Sequence, residues 1–390
     1  MKARLRTAVL RAVAWASKPW SRRVSSPPPF EAARILLIRP DHVGDLLFTT
    51  PAIRALRLSL PDAYIACMVG PWAAEIVQNS RHLDEVRTCP FPGFTREPKK
   101  HLLGPYIVLW RYSRILRAGS FDAAVIMRFD HWWGAMLACW AGIPRRVGYG
   151  LPAVAPFLTE ALPYTADQHE VEQNVRLISA VTVGNGAEPG PLEFHPRSDD
   201  IRSAARLLAS VGSNGGYLCL HPGAGAPVKL WRREAFAQVG DALAQEYGLR
   251  VVITGSAGER QLAESIAERM EFKPHVIAGQ TGLGELAAIM ANSRLVIGVD
   301  SGALHLAVTQ GVPTIHLYGP VDHRTFGPWG DPRRHIALVS DMECVPCQRL
   351  DYGLDELDDH PCVRSIPVAQ VLEAARYLLG SSSLAGGAMV

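Results

Sequence analysis

The sequence predicts an α/β protein built from two open parallel sheets, and three observations carry that reading. Short apolar, β-rich runs alternate with helical patterns along both halves of the chain, as parallel strands joined by crossover helices require. A length of 390 residues exceeds what one hydrophobic core covers and suggests two domains of ordinary size. Several runs end in breaks rich in Gly, Asp or Ser, at the strand ends where open parallel sheets place their ligands.

In the first half, residues 34–39 read as the first strand, followed by a helical pattern over 46–56. A second strand spans 63–69 with a helix over 72–78. A third spans 121–127 with a helix over 132–140, and 146–149 makes a further short strand. Residues 151–162 are proline-rich and read as a loop. A helix begins at His169, where His169 and Glu170 either face the cleft or, the favoured reading, form a solvated first turn. In the second half, a loop at 213–216 precedes a strand at 217–220. Further strands follow at 251–254, 276–279, 296–299 and 313–317. The expected domains are 31–200 and 201–380, with an extension at 1–30 and a flexible tail at 381–390.

Composition narrows the function classes. Hydrophobic content is 48% against 20% charged residues, as in a folded globular protein. The formal net charge of +3 is unevenly placed: residues 1–30 hold Lys2, Arg4, Arg6, Arg11, Lys18, Arg22 and Arg23 and no acid. The remainder carries 33 basic against 37 acidic side chains, a mildly acidic body that is no nucleic-acid binder on charge grounds. Seven cysteines without a small-scaffold pattern point to a reducing compartment. No apolar run reaches the ~18 to 20 residues that a membrane-spanning helix needs. Arg11 and Lys18 interrupt the N-terminal apolar residues, which makes a poor secretory signal. Read as a helix, the extension has Leu5, Val9, Ala12, Val13 and Ala16 on one side and Arg4, Arg11 and Lys18 on another, with Trp15 and Trp20 added. It suits an anionic membrane surface or, equally, a disordered basic tail. Residues 25–29 then act as a stiff spacer.

Four strand ends carry candidate chemistry. After the first, Asp45 is either an N-cap or a general base, and Asp41 is a rival. If the two carboxylates lie close together, one is pushed upward in pKa. After the 217–220 strand, Gly223 and Gly225 let backbone approach a ligand and Lys229 supplies a point charge for phosphate, unless this is an ordinary glycine turn. After the 251–254 strand, Glu259 either accepts hydrogen bonds from ribose hydroxyls or complements a helix dipole. After the 296–299 strand, Asp300 and Ser301 suit an N-cap, and the amides at Ser301 and Gly302 suit phosphate, with His305 one turn further in. Three such ends in one sheet favour a nucleotide site over three caps. Neither a Walker loop nor GxGxxG is present, which disfavours a dehydrogenase. Cys344 and Cys347, with His360 and Cys362 beyond, have some of the spacing of a metal site, although a loop with incidental thiols fits as well.

These residues resemble glycosyltransferase family 9, the ADP-heptose:lipopolysaccharide heptosyltransferases. The likeness lies in Arg39-Pro40-Asp41-His42-Val43-Gly44-Asp45 with the helical run after it, and in Ala141-Gly142-Ile143-Pro144-Arg145-Arg146-Val147-Gly148-Tyr149. It continues in His221-Pro222-Gly223-Ala224-Gly225 with Lys229 and Trp231, and in Asp300-Ser301-Gly302-Ala303-Leu304-His305 with Tyr318-Gly319-Pro320. The resemblance implies a GT-B architecture, two Rossmann-like domains facing a central cleft, with acceptor on the first and nucleotide sugar on the second. It implies inversion at the anomeric centre without metal or other cofactor, Asp45 as the base, and Lys229 with the Ser301 and Gly302 amides stabilising the diphosphate. His305 matches a position near the phosphates, and Glu259 a ribose contact. The implied donor is ADP-heptose, and the implied acceptor is a lipid-linked or core oligosaccharide of the bacterial envelope. The implied location is cytoplasmic, peripheral on the inner membrane. A catalytically inactive nucleotide-sugar-binding protein at the membrane surface is the alternative.

Overall fold

The computed structural model describes residues 10–13, 33–95, 103–182, 188–209, 211, 216–353 and 355–385. The expected N-terminal helix therefore lies outside the described residues except for one helical turn at 10–13, and so does most of the loop at 213–216. The chain divides into two compact units, Met1–Gly190 and Pro191–Val390. Position 200 falls inside a helix of the second unit, Ser198–Leu207.

The first unit is a six-stranded sheet of β1 (Arg34–Arg39), β2 (Tyr64–Val69), β3 (Glu85–Thr88), β4 (Ala123–Ile126), β5 (Arg145–Tyr149) and β6 (Glu160–Leu162). Every pair is parallel, and the order is β3-β2-β1-β4-β5-β6. In β1 the run Ile35-Leu36-Leu37-Ile38 is fully buried, as a central strand covered on both faces demands. The loop expected at 151–162 instead supplies an edge strand, β6, which pairs with β5. Its short polar-edged sequence carries no alternation, and neighbouring backbone alone makes it a strand. The same holds for β3, whose Glu85, Arg87 and Thr88 hide it from a hydrophobic reading.

The second unit comprises β7 (Tyr217–His221), β8 (Arg250–Ile253), β9 (His275–Val276), β10 (Val296–Val299), β11 (Thr314–Tyr318) and β12 (His335–Val339). All are parallel, in the order β12-β11-β10-β7-β8-β9. Renumbered from its own first strand, this is the same order as in the first unit, the doubly wound order of Rossmann sheets. The strand expected at 276–279 is cut back to β9; Gly279 leaves the extended region at φ +79. The last helix, Val368–Ala385, packs Val371, Ala375, Leu378 and Leu379 into the core of this unit. It corrects the expected tail: the helix continues past residue 380, and only 386–390 lie outside the described residues.

Each sheet reverses its winding direction once, between β1 and β4 in the first unit and between β7 and β10 in the second. At such a switch point the helices after the two strands leave on opposite faces and open a crevice at the strand ends. Both sets of candidate residues fall there.

Candidate active site

In the first unit Arg39 ends β1 with its side chain fully buried. A buried guanidinium needs anions, and three carboxylates supply them. Arg39 Nε lies 2.7 Å from Asp41, Nη1 lies 2.7 Å from Glu170, and Nη2 lies 3.9 Å from Asp45. Nη1 also donates to the Met127 carbonyl at the end of β4, at 2.8 Å, tying the two switch-point strands together. Asn174 accepts a further bond from Nη1 at 3.2 Å and donates to the Phe48 carbonyl at 3.2 Å, so the helix Glu170–Ser179 is fastened beneath the site.

The carboxylates differ in access. Asp41 is buried between Arg39 and Arg128, which donates to it directly. Burial alone would raise its pKa, but the two guanidinium groups outweigh that and hold it below the usual carboxylate range. Covered by both cations, Asp41 is not placed to meet a substrate hydroxyl. Asp45 sits in the first turn of the short helix Val43–Leu47, its side chain about a third exposed. Of the three, it is the one that reaches solvent. The expectation of one carboxyl pushed upward holds for a different residue: burial lifts Glu170 to about 7, against the pull of Arg39, with Asp45 and Asp41 adding to the rise. Glu170 is thereby corrected from a solvated first-turn residue to a buried member of this site, 2% exposed. Its signal in the sequence was indirect: an arginine closing a buried strand requires more anions than its neighbours offer.

In the second unit the ends of β7, β8 and β10 converge. Lys229, in the short turn Pro227–Lys229, places Nζ 2.6 Å from Asp300 Oδ2, with both side chains nearly buried. Burial would raise Asp300, yet Lys229 and His305 bring it down to about 2. His305 is buried in the helix Gly302–Thr309, its Nε2 3.9 Å from Asp300 Oδ1, and its ring packs at 5.4 Å on that of His316. It thus stands behind Asp300. Ser301 stands at the N-cap of this helix with extended backbone, as expected, but makes no side-chain cap hydrogen bond. Asp300 spends its carboxylate on Lys229 and His305, and Ser301 Oγ is buried with no hydrogen-bond partner among the described residues. The first-turn amides are consequently left unanswered by any side-chain cap, and an unanswered helix start attracts anions.

Glu259 fulfils one expectation and adds another. Its Oε2 accepts from the Ser256 amide at 2.7 Å and from Ser256 Oγ at 2.8 Å, a cap at the end of β8. Its other oxygen lies against Gly223, where a Cβ would come within 2.1 Å. A side chain at position 223 would therefore displace the Glu259 carboxylate. Gly225, by contrast, is exposed on the same loop. His221, at the end of β7, shares a 2.9 Å hydrogen bond with Thr254, and burial lowers its pKa despite the nearby Glu259. At Gly298, paired with His221, a Cβ would meet the His221 carbonyl at 2.4 Å, so β10 packs tightly on β7.

Cys362 is buried against Ala226, Val228 and Leu357, Cys344 is exposed, and the His360 ring stacks on Tyr352 at 3.9 Å. Among the described residues no group of three His, Cys, Asp or Glu side chains is placed to hold a metal ion. Nor is any described helix long and apolar enough to cross a membrane.

Two Rossmann-like units, each with its own switch point, make up the GT-B architecture. Comparison with known proteins carries this further. The family model described as glycosyltransferase family 9 (heptosyltransferase) matches residues 109–355, more than half of the chain. Lipopolysaccharide heptosyltransferase 3 of Escherichia coli (strain K12) is 28% identical over 297 residues, covering 73% of this chain and 82% of that protein. The glycosyl transferase family 9 structure from Veillonella parvula DSM 2008 superposes with a TM-score of 0.76 at 24% identity, covering 90% of this chain and 98% of that one. The E. coli heptosyltransferase WaaC with ADP superposes at 0.65 and 19% identity, covering 88% and 99%. The chain belongs to glycosyltransferase family 9, and it is a glycosyltransferase that uses a nucleotide-sugar donor.

Proposed function

We propose that the protein transfers heptose from ADP-heptose to a lipopolysaccharide core or related lipid-linked envelope glycan, inverting the anomeric centre without a metal. The observation that carries this reading is the second-unit switch point: an ammonium held by Asp300 beside an uncapped helix start. A relative named as a lipopolysaccharide heptosyltransferase and a structural neighbour bound to ADP support the choice of acceptor and donor.

In this mechanism Asp45 accepts the proton of the acceptor hydroxyl as that oxygen forms its bond to the anomeric carbon. The bond from that carbon to the diphosphate breaks on the opposite face, and ADP leaves with the electron pair. Lys229 and the Ser301 and Gly302 amides stabilise the charge that develops on the leaving group. The ammonium has three donors, so it holds Asp300 and a phosphate oxygen together. His305 keeps Asp300 in register from behind, and Glu259 is left with an oxygen suited to ribose hydroxyls. The enzyme acts where its acceptor is embedded, peripheral on the cytoplasmic face of the inner membrane, with the basic extension at 1–30 contributing.

The test begins with melting temperatures in the presence of ADP, ADP-heptose, and UDP and GDP sugars, each with and without EDTA. ADP-heptose at ~100 times its dissociation constant adds about 2.7 kcal/mol of stability. An ADP-selective shift that ignores EDTA is expected, whereas silence with every nucleotide overturns the reading. Asp45→Asn is expected to lower turnover by about 10²- to 10⁴-fold while the ADP shift survives; loss of that shift removes Asp45 from the base role.

A further inference from the structure

Helix Glu170–Ser179 turns a polar stripe toward the interior. At i, i+3 and i+4, Glu170, Gln173 and Asn174 are each no more than 2% exposed, where an amphipathic helix would bury apolar side chains. Buried polar groups need partners, and two of these three find theirs on Arg39. Glu170 Oε1 lies 2.7 Å and Asn174 Oδ1 3.2 Å from Nη1, and the Met127 carbonyl takes the same nitrogen at 2.8 Å. Three acceptors thus crowd the two hydrogens of Nη1. Nη2 faces Asp45 across 3.9 Å, longer than a hydrogen bond. The guanidinium is held toward the helix and away from the solvent-facing carboxylate.

The second oxygen of Glu170, Oε2, is buried with no hydrogen-bond partner among the described residues. A charged carboxylate with an unanswered oxygen is costly in such a place. Arg39, Asp41 and Asp45 act on it from the end of β1 and the turn that follows. The Tyr149 and Tyr164 phenols lie within its field, and burial holds both above their usual range, so neither adds charge. Arg128 is bound to Asp41 and Asp130. Helix Thr50–Ser59, packed alongside, carries Arg54 against Gly190 and Arg57 on Asp84. On the same helix as Glu170, His169 and Glu172 are engaged at the N-cap, and Arg176 donates to Thr165. Among the described residues Arg39 is therefore the cation that holds Glu170, and Asp41 and Asp45 share it. Burial raises Glu170, Arg39 opposes, and Asp45 and Asp41 add to the rise, which brings it to about 7. Coupling of this kind is mutual: carboxylates that compete for one guanidinium act on each other.

We propose that Glu170 is a positioning residue for the transfer reaction, one that holds Arg39 off Asp45 and so sets how readily Asp45 takes the acceptor's proton. When Glu170 is charged it keeps the guanidinium for itself, and Asp45 is the stronger base. When Glu170 is protonated its hold on Nη1 weakens, and Arg39 damps Asp45. Glu170 is too deeply buried to meet a substrate, so it acts only through Arg39. The inference deepens the reaction proposed above and rests on Asp45 being its base.

The test is the pH profile of acceptor-dependent ADP release from ADP-heptose, with a heptose-deficient lipopolysaccharide core as acceptor, in the full-length chain. Wild-type kcat is expected to rise about fivefold through pH 7. Glu170→Gln keeps an acceptor for Nη1 and removes the charge. It should match the wild type at pH 5.5 and lack the rise, with the KM for ADP-heptose unchanged. Glu170→Asp, which keeps the charge, should keep a rise. ADP-induced melting shifts at pH 6 and pH 8 should persist in both variants and show that they are folded. A Glu170→Gln profile that runs parallel to the wild type at every pH makes Glu170 structural and overturns the proposal, as does a Glu170→Asp profile without a rise. A wild-type kcat that stays flat between pH 6 and pH 8 overturns it without any variant. Turnover that survives Asp45→Asn would retire the base assignment, and no ADP release at any pH would retire the reaction; either result takes this inference with it. Asp45-dependent turnover with parallel profiles retires this inference alone.

Discussion

In Met1–Gly190 the switch point gathers a buried guanidinium and three carboxylates, whereas in Pro191–Val390 it holds one ion pair beside an uncapped helix start. The strand order is the same in both units. Topology therefore decides where a site forms, and the few residues after each strand decide what it offers. The first crevice holds one carboxylate at the solvent by burying the others on Arg39. The second leaves its helix start without a side-chain cap beside the Lys229–Asp300 pair.

That contrast is sharpest at Arg39. Arg39→Met leaves the buried Asp41 and Glu170 without their shared cation, and a loss of about 3–5 kcal/mol in unfolding free energy is expected by denaturant titration. A loss below 1 kcal/mol would mean that Arg128 suffices. In the second unit Lys229→Ala strands Asp300 and should cost about 3 kcal/mol, along with nucleotide affinity. Lys229→Ala/Asp300→Ala should recover the stability and not the affinity. Recovery of both would reduce the pair to a structural tie.

The pH response separates the buried carboxylates of the first unit. Glu170, lifted to about 7, favours the protonated form in the folded state, so the folded chain binds more protons than the unfolded one between the ordinary 4.5 and about 7. Its stabilising contribution is complete below that window and is lost as pH rises through it. Asp41, held low, acts only at more acid pH and with the opposite sign. Glu170→Gln should therefore flatten the decline in denaturation midpoint from pH 5 to pH 8; an unaltered slope would show that another group titrates there.

The smallest effect belongs to Ser301. Its hydroxyl has no partner to lose among the described residues, so Ser301→Ala should leave stability within about 0.5 kcal/mol while raising the KM for nucleotide sugar about fivefold. An unchanged KM would remove Ser301 Oγ from the donor site.

Much of this was legible from local pattern. Buried parallel strands such as Ile35-Leu36-Leu37-Ile38 and Val296-Ile297-Gly298-Val299 declare themselves as apolar runs, and the breaks after them mark the strand ends. Edge strands do not: β3 and β6 are polar and short, and their partners define them. Between the two readings of Glu170, facing the cleft or solvated, the sequence favoured the wrong one for a related reason. Glu170 lies 131 residues from Arg39, and nothing in the helix that carries it tells a buried first turn from a wet one. Ser301 shows the converse. Its residue type suits a cap and it stands at the N-cap, yet its hydroxyl makes no cap bond, an outcome set by side-chain geometry that the local sequence does not record.

The sequence by itself determined two doubly wound halves and which residue types stand at each strand end, because hydrophobic period and turn chemistry act over a few residues. Tertiary structure decided which carboxylate is buried, which reaches solvent and which helix start stays uncapped. Those outcomes depend on burial and on charges brought together from distant segments, and electrostatic energies inside a protein change severalfold with both.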